Sequence, residues 1–265
     1  MLTVFLTYCG AGAIAGFLAG LFGIGGGIVI VPMLIYVMGA QGVSDGVLMH
    51  MALGTSMAGI MFTSVSSFMA HHRRGAVRWE VVRGIIFGIF TGTFLGSCFA
   101  AAMPTGFLKG FFCVFLYMVA TRMLMNKKSK ALRELPGTLG MFAAGNIIGG
   151  VSSLVGIGGG TLSVPFMAWC NIPIHHAIGT SAAIGLPIAV AGTAGYIYNG
   201  LGMASLPAYS IGYINLPALF GIAGASILTA PLGVRLAHRL PVERLKQVFA
   251  VLLYIVGTKM LTGLI

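Results

Sequence analysis

Long apolar runs separated by short polar junctions make up this chain, and two glycine clusters break that pattern at matched places. The runs cover Leu2 to Phe22, Ile28 to Met38, Val47 to Met69, Glu80 to Ala102 and Gly106 to Met125 in the first half. In the second half they cover Thr138 to Val155, Thr161 to Trp169, His176 to Tyr198, Ile211 to Gly233 and Val242 to Leu264. Backbone polar groups in lipid must be satisfied within the segment, and these runs are too long and too evenly apolar for barrel strands. The pattern predicts an all-α polytopic membrane protein, a single transmembrane domain over residues 1–265. A crossing needs about 20 helical residues. Ile28 to Met38 and Thr161 to Trp169 are too short for one.

The interruptions are Gly23-Ile24-Gly25-Gly26-Gly27 and Gly156-Ile157-Gly158-Gly159-Gly160, each followed by a proline nine residues after its first glycine, Pro32 and Pro165. The match extends further. Ala11 to Gly16 corresponds to Ala144 to Gly149, and His50-Met-Ala-Leu-Gly-Thr-Ser56 corresponds to His175-His-Ala-Ile-Gly-Thr-Ser181. Pro104, Lys109, Tyr117 and Thr121 fall opposite Pro241, Lys246, Tyr254 and Thr258. The chain therefore reads as a first repeat over 1–125, a cytoplasmic linker over 126–137 and a second repeat over 138–265.

Composition strengthens the membrane reading. Of the 265 residues 58% are hydrophobic and 7% charged, against about 25% charged in a soluble domain. The net charge of +11 lies in loops, where topology explains it and nucleic acid is not called for. Cys9, Cys98, Cys113 and Cys170 lie on apolar runs without metal-ligand spacing and read as small core residues. The N-terminus lacks the basic region of a signal peptide, so Leu2 to Phe22 is expected to stay in the mature protein.

Charge position sets the orientation. All but Lys109 and Lys259 of the 15 basic residues lie in or beside three loops, around Arg73 to Arg83, Arg122 to Arg133 and Arg235 to Lys246. The positive-inside rule places all three in the cytoplasm. The basic loop follows the first ordinary span of the first half, whereas Asn199 to Ser210 at the equivalent place carries no charge. That displacement by one junction predicts inverted repeats, each with a glycine-tipped broken or re-entrant helix segment and three transmembrane helices. Each glycine segment must return to its side of origin, as a hairpin or as two full crossings. Both termini then face the periplasm or exterior.

A helix restarting at a glycine tip exposes unpaired N–H groups and the positive end of its dipole, which suits an anion. Gly25, Gly26 and Gly27 with Gly158, Gly159 and Gly160 are the candidate binding backbone. The competing role for glycine is close helix packing, and it explains Gly12, Gly16, Gly20, Gly145 and Gly149 better. Thr55, Ser56, Thr180 and Ser181 supply hydroxyls that either line the site or bond back to their own helices. Thr161 and Ser163 stand where the first half has Ile28 and Ile30, so the second half is the more polar. His50 and His175 lie five residues before the threonines; a helix-end hydrogen bond is their simplest role, and gating or proton transfer is the alternative. Asp45, Glu80, Glu134 and Glu243 all read as interfacial or loop residues, which favours an anionic or neutral substrate. No metal, cofactor or enzyme motif is present in the sequence.

The paired Gly-x-Gly-Gly-Gly segments with their prolines, the paired His-x-Ala-x-Gly-Thr-Ser segments and the length resemble the sulfite exporter TauE/SafE family over essentially the whole chain. The resemblance implies a membrane transporter, in the bacterial inner membrane, for a small sulfur-containing anion such as sulfite, sulfoacetate or another organosulfonate. The residues alone reach "small anion". An anion channel is the competing reading, and a homo-oligomer is compatible with either.

Overall fold

In the computed structural model, residues 2–22, 26–125, 134–203, 205–237 and 242–263 are described. The first half holds α1 (Leu2–Phe22), α2 (Gly27–Ala40), α3 (Asp45–His72), α4 (Trp79–Ala102) and α5 (Thr105–Leu124). The second holds α6 (Thr138–Val155), α7 (Gly160–Trp169), α8 (Ile174–Gly200), α9 (Leu216–Ala237) and α10 (Val242–Leu261). Among the described residues, α3, α4, α5, α6, α8 and α9 are each long and apolar enough to cross a membrane. The chain is a helical, multi-pass membrane protein.

One element departs from the sequence reading. The run from Ile211 does not open a helix; Ser210–Ile211 (β1) and Ile214–Asn215 (β2) pair antiparallel, and α9 begins only at Leu216. Short apolar runs do not distinguish strand from helix by hydropathy. Here Gly212 at φ 54° supplies the turn, and Tyr213 enters the interior, stacked 5.2 Å from His50 and edge-on to Tyr196.

α3 and α8 form the centre. Their apolar windows are 83% and 78% buried, against 39–50% for the other four spans. They run antiparallel: Gly54 lies against Tyr196, Gly192 against Met57 and Gly185 against Ser64. α1 packs on α9 and α4 packs on α6, in both cases side by side in the same direction. Gly12, Gly16 and Gly20 meet the backbone at Ile222, Ser226 and Ala230, and Gly145 and Gly149 meet it at Ile85 and Ile89. A Cβ at any of these positions would overlap its neighbour, so the glycines serve close packing, as the sequence reading has it. Exchanging the halves maps α1–α9 onto α6–α4 and α4–α8 onto α9–α3, and the observed contacts include each of these pairs.

α2 folds back along α1. Gly26 lies on the Ala15 carbonyl near the tip, and Gln41, just past α2, donates to the Tyr8 hydroxyl at 3.1 Å near the start of α1. The glycine segment is thus a hairpin whose return arm has 14 residues, and α7 has 10, both short of a full crossing.

Candidate functional site

The two tips meet. A Cβ on Gly27 would overlap the Gly156 carbonyl and crowd Ile157, so only glycine allows the two segments to touch here. Gly26 and Gly159, the residues before α2 and α7, have φ 74° and 75°, the left-handed conformation glycine adopts without cost. In α7 the first ladder bonds run from Leu162 and Ser163 N–H to the Gly159 carbonyl. The N–H groups of Gly160 and Thr161 precede them and belong to the unpaired first turn.

The paired His-x-Ala-x-Gly-Thr-Ser segments divide into parts with distinct jobs. Gly54 and Gly179 let a loop carbonyl press close: a Cβ would lie 2.8 Å from Tyr213 O in one and 2.7 Å from Ala76 O in the other. Thr55 Oγ1 accepts the Asn215 N–H at 3.0 Å just before α9, and Thr180 Oγ1 accepts the Arg78 N–H at 2.9 Å just before α4. Each threonine thereby satisfies a backbone donor at a helix start. The serines turn to the tips. Ser56 donates to the Gly156 carbonyl at 2.8 Å, and Ser181 accepts the Ser163 hydroxyl at 3.0 Å.

A small cavity of about 10 Å³, room for about one water, opens beside the second tip, lined by Thr63, Ser64 and Ser67 of α3, Gly158, and Ser181, Ala182 and Gly185 of α8. Ser67 is buried and its hydroxyl has no hydrogen-bond partner among the described residues. A buried hydroxyl without a partner is costly, so such groups ordinarily face a water or a ligand. Thr63 is committed elsewhere, to the Gly59 carbonyl and Ser226 Oγ.

Of the sequence candidates, Gly158 and Ser181 line the cavity, and Ser163 reaches it through Ser181. Gly27 makes the crossing with Gly156, while Gly26 and Gly159 precede the two restarting helices and Gly160 opens α7. Gly25 lies outside the described residues. Thr161 keeps its hydroxyl buried, without a partner among the described residues. Thr55, Ser56 and Thr180 bond to backbone as above rather than lining the cavity. The histidines separate: His50 is buried, its Nε2 donating to the carbonyls of Ala100 at 3.2 Å and Met103 at 3.1 Å, whereas His175 is exposed in the first turn of α8. Thr63, Ser64, Ser67 and Gly185 escape the sequence reading. A signal existed: Thr63-Ser64-Val65-Ser66-Ser67 puts four hydroxyls into five residues of an apolar span.

Comparison with known proteins settles the family. The model of the sulfite exporter TauE/SafE family matches residues 8–260. The chain belongs to the sulfite exporter TauE/SafE family. It is 40% identical to a probable membrane transporter protein of Haemophilus influenzae, over 98% of this chain and 99% of that protein. A probable membrane transporter protein of Methanocaldococcus jannaschii is 29% identical over 94% of this chain and 92% of its own length. One from Bacillus subtilis is 23% identical over 94% of both. No solved structure matches. This TauE/SafE protein is accordingly a membrane transporter of that family's type, built of helices that cross the bilayer several times.

Proposed function

We propose that this TauE/SafE protein is a secondary transporter carrying a small sulfur-containing anion, sulfite or an organosulfonate such as sulfoacetate, across the bacterial inner membrane. It works by alternating access around the crossed glycine tips. The observation that carries the reading is the small hydroxyl-lined cavity at the second tip, where the buried Ser67 hydroxyl lacks a partner among the described residues. Gly158 of the lining lies two residues before α7 begins, and a helix N-terminus carries the partial positive charge that an anion seeks. The family name supplies sulfur as the element.

Inverted repeats supply the mechanism. What supports inversion is that α3 and its counterpart α8 run antiparallel, as do α5 and α10, joined by Tyr117–Thr258 and Thr121–Tyr254 hydroxyl pairs at 2.7 and 2.6 Å. Repeats related by an axis along the membrane normal would instead set each such pair parallel. With the basic loops cytoplasmic, both termini lie outside.

Purified full-length protein in liposomes, offered radiolabelled sulfite under an opposing gradient, tests the reading. Saturable uptake that proceeds uphill supports a transporter, and its loss in Gly185→Val places the site in the cavity. Flux that neither saturates nor accumulates indicates an anion channel instead. Failure of sulfite, sulfoacetate and methanesulfonate alike to move or bind overturns the proposal.

A further inference from the structure

We infer that the cavity between α3 and α8 holds one dehydrated alkali-metal cation, sodium or potassium; its role as the ion coupled to anion movement rests on the transport reading. At about 10 Å³ the cavity has room for about one water, and so for one bare ion without a hydration shell. Such an ion needs oxygens in place of its water, and oxygens converge here. A Cβ on Gly185 would lie 2.9 Å from Ser64 Oγ and 3.2 Å from the Gly158 carbonyl oxygen, so both face the hollow that the glycine leaves. Ser67, 3% exposed, adds a hydroxyl with no partner among the described residues.

The lining presents lone pairs more than protons. Thr63 directs its hydroxyl proton to the Gly59 carbonyl and Ser226 Oγ, which leaves only its lone pairs for the cavity. The Gly158 carbonyl is an acceptor alone, and a helical serine such as Ser67 can turn its proton onto a carbonyl one turn earlier. The charge of the ion follows from what the lining lacks. No carboxylate is among the lining residues, and the described residues hold no group of three or more His, Cys, Asp or Glu. Divalent cations call on carboxylates and transition metals on nitrogen or sulfur, and the cost of stripping water grows with the square of the charge. One positive charge is what neutral dipoles can hold. Gly158 also lies between the end of α6 at Val155 and the start of α7 at Gly160. A helix C-terminus offers carbonyls to a cation and an N-terminus offers N–H groups to an anion, so one break serves both, as unwound segments do in repeat-built transporters. The cation supplies the full charge that the lining does not, and ion and anion strengthen each other's binding.

Thermal unfolding of the purified full-length protein in sodium, potassium and choline chloride at equal ionic strength reads the site directly. Sodium or potassium should raise the melting temperature saturably over choline, as a ligand of the folded state does, and the more effective of the two is the ion. Ser64→Ala and Ser67→Ala should each weaken that ion at least about tenfold, while their melting in choline shows that they fold. Ser66→Ala, whose hydroxyl bonds to the Ile227 carbonyl and lies outside the lining, should leave the ion response unchanged. Sulfite should tighten the ion by the same factor as the ion tightens sulfite. Equal melting in all three salts, or a stronger response to magnesium or calcium, overturns the cation and leaves the transport reading standing. So does an undiminished ion response in folded Ser64→Ala and Ser67→Ala. An ion response in protein that moves no sulfite keeps the cation site and overturns its coupling together with the transport reading.

Discussion

Around the cavity, α3 presents Thr63, Ser64 and Ser67, and α8 presents Ser181, Ala182 and Gly185. At the matched places of the other half stand Ile188, Ala189 and Gly192 on α8, and Ser56, Met57 and Ile60 on α3. Ile60, Met57, Ile188 and Ala189 are fully buried, and Ile188 packs against Gly159. The motifs recur in both halves and the filling between them does not. Where one half keeps large apolar side chains the other has hydroxyls or small residues, so space and polarity coincide on one side only. The same bias runs along the short helices, with Thr161 and Ser163 opposite Ile28 and Ile30. The parts of the motifs that hold the fold together stayed symmetric: Thr55 and Thr180 each accept a backbone N–H at a helix start in the opposite half, and Gly26 and Gly159 keep one backbone conformation.

The largest effect is expected where both halves depend on one contact. Gly27→Val drives a side chain into the Gly156 carbonyl, and overpacking of about 3 kcal/mol or more should leave little monodisperse protein by size-exclusion chromatography. Gly10→Val, at a glycine with open space around it, should behave as wild type. Next comes the cavity against its counterpart. Gly185→Val should lower sulfite uptake in liposomes by about a hundredfold, by analogy with losses from misplaced substrate. Ile60→Ala, at the matched place, should cost about 2–4 kcal/mol in unfolding experiments while leaving substrate affinity in place. If the two variants lose affinity alike, the asymmetry has no functional meaning.

A smaller change sharpens the same contrast. Ser67→Ala removes a hydroxyl that has no partner among the described residues, so stability should hold or rise slightly while substrate binding weakens about three- to tenfold, as for one lost hydrogen bond. A fall in melting temperature without a change in affinity would show that Ser67 serves the fold. Smallest of all, Thr55→Val and Thr180→Val each strip an acceptor from one backbone N–H. Both should lose about 1–2 kcal/mol in denaturant unfolding, equally, with affinity unchanged. Unequal losses would mean that the two halves differ in their scaffold as well as in their cavity.

Much of this was legible along the chain. The helix limits fall within a few residues of the apolar runs, because long spans in lipid leave the backbone only one way to satisfy itself. The small-residue stripes on α1 and α6 announced close packing, since their four-residue spacing sets them on one face. The hairpin before α9 was not legible: Ile211, Tyr213 and Ile214 are as apolar as a helix start, and hydropathy carries no record of the turn at Gly212. Nor did Thr55 and Thr180 announce their role, because a hydroxyl near a glycine tip reads equally as a ligand to an anion or as a cap on a neighbouring helix.

By itself the sequence determined that the chain is helical and membrane-embedded, that the same motifs recur in its two halves, and that its glycines cluster where helices break. Those properties follow from local chemistry: hydropathy, length, and the backbone freedom of glycine. Tertiary structure alone decided that the two tips cross at Gly27 and Gly156, and that the space left over opens towards Thr63, Ser64 and Ser67. That choice depends on which volumes the packed helices fail to fill. It is a property of side chains from α3, α7 and α8 taken together, and no single stretch of the chain records it.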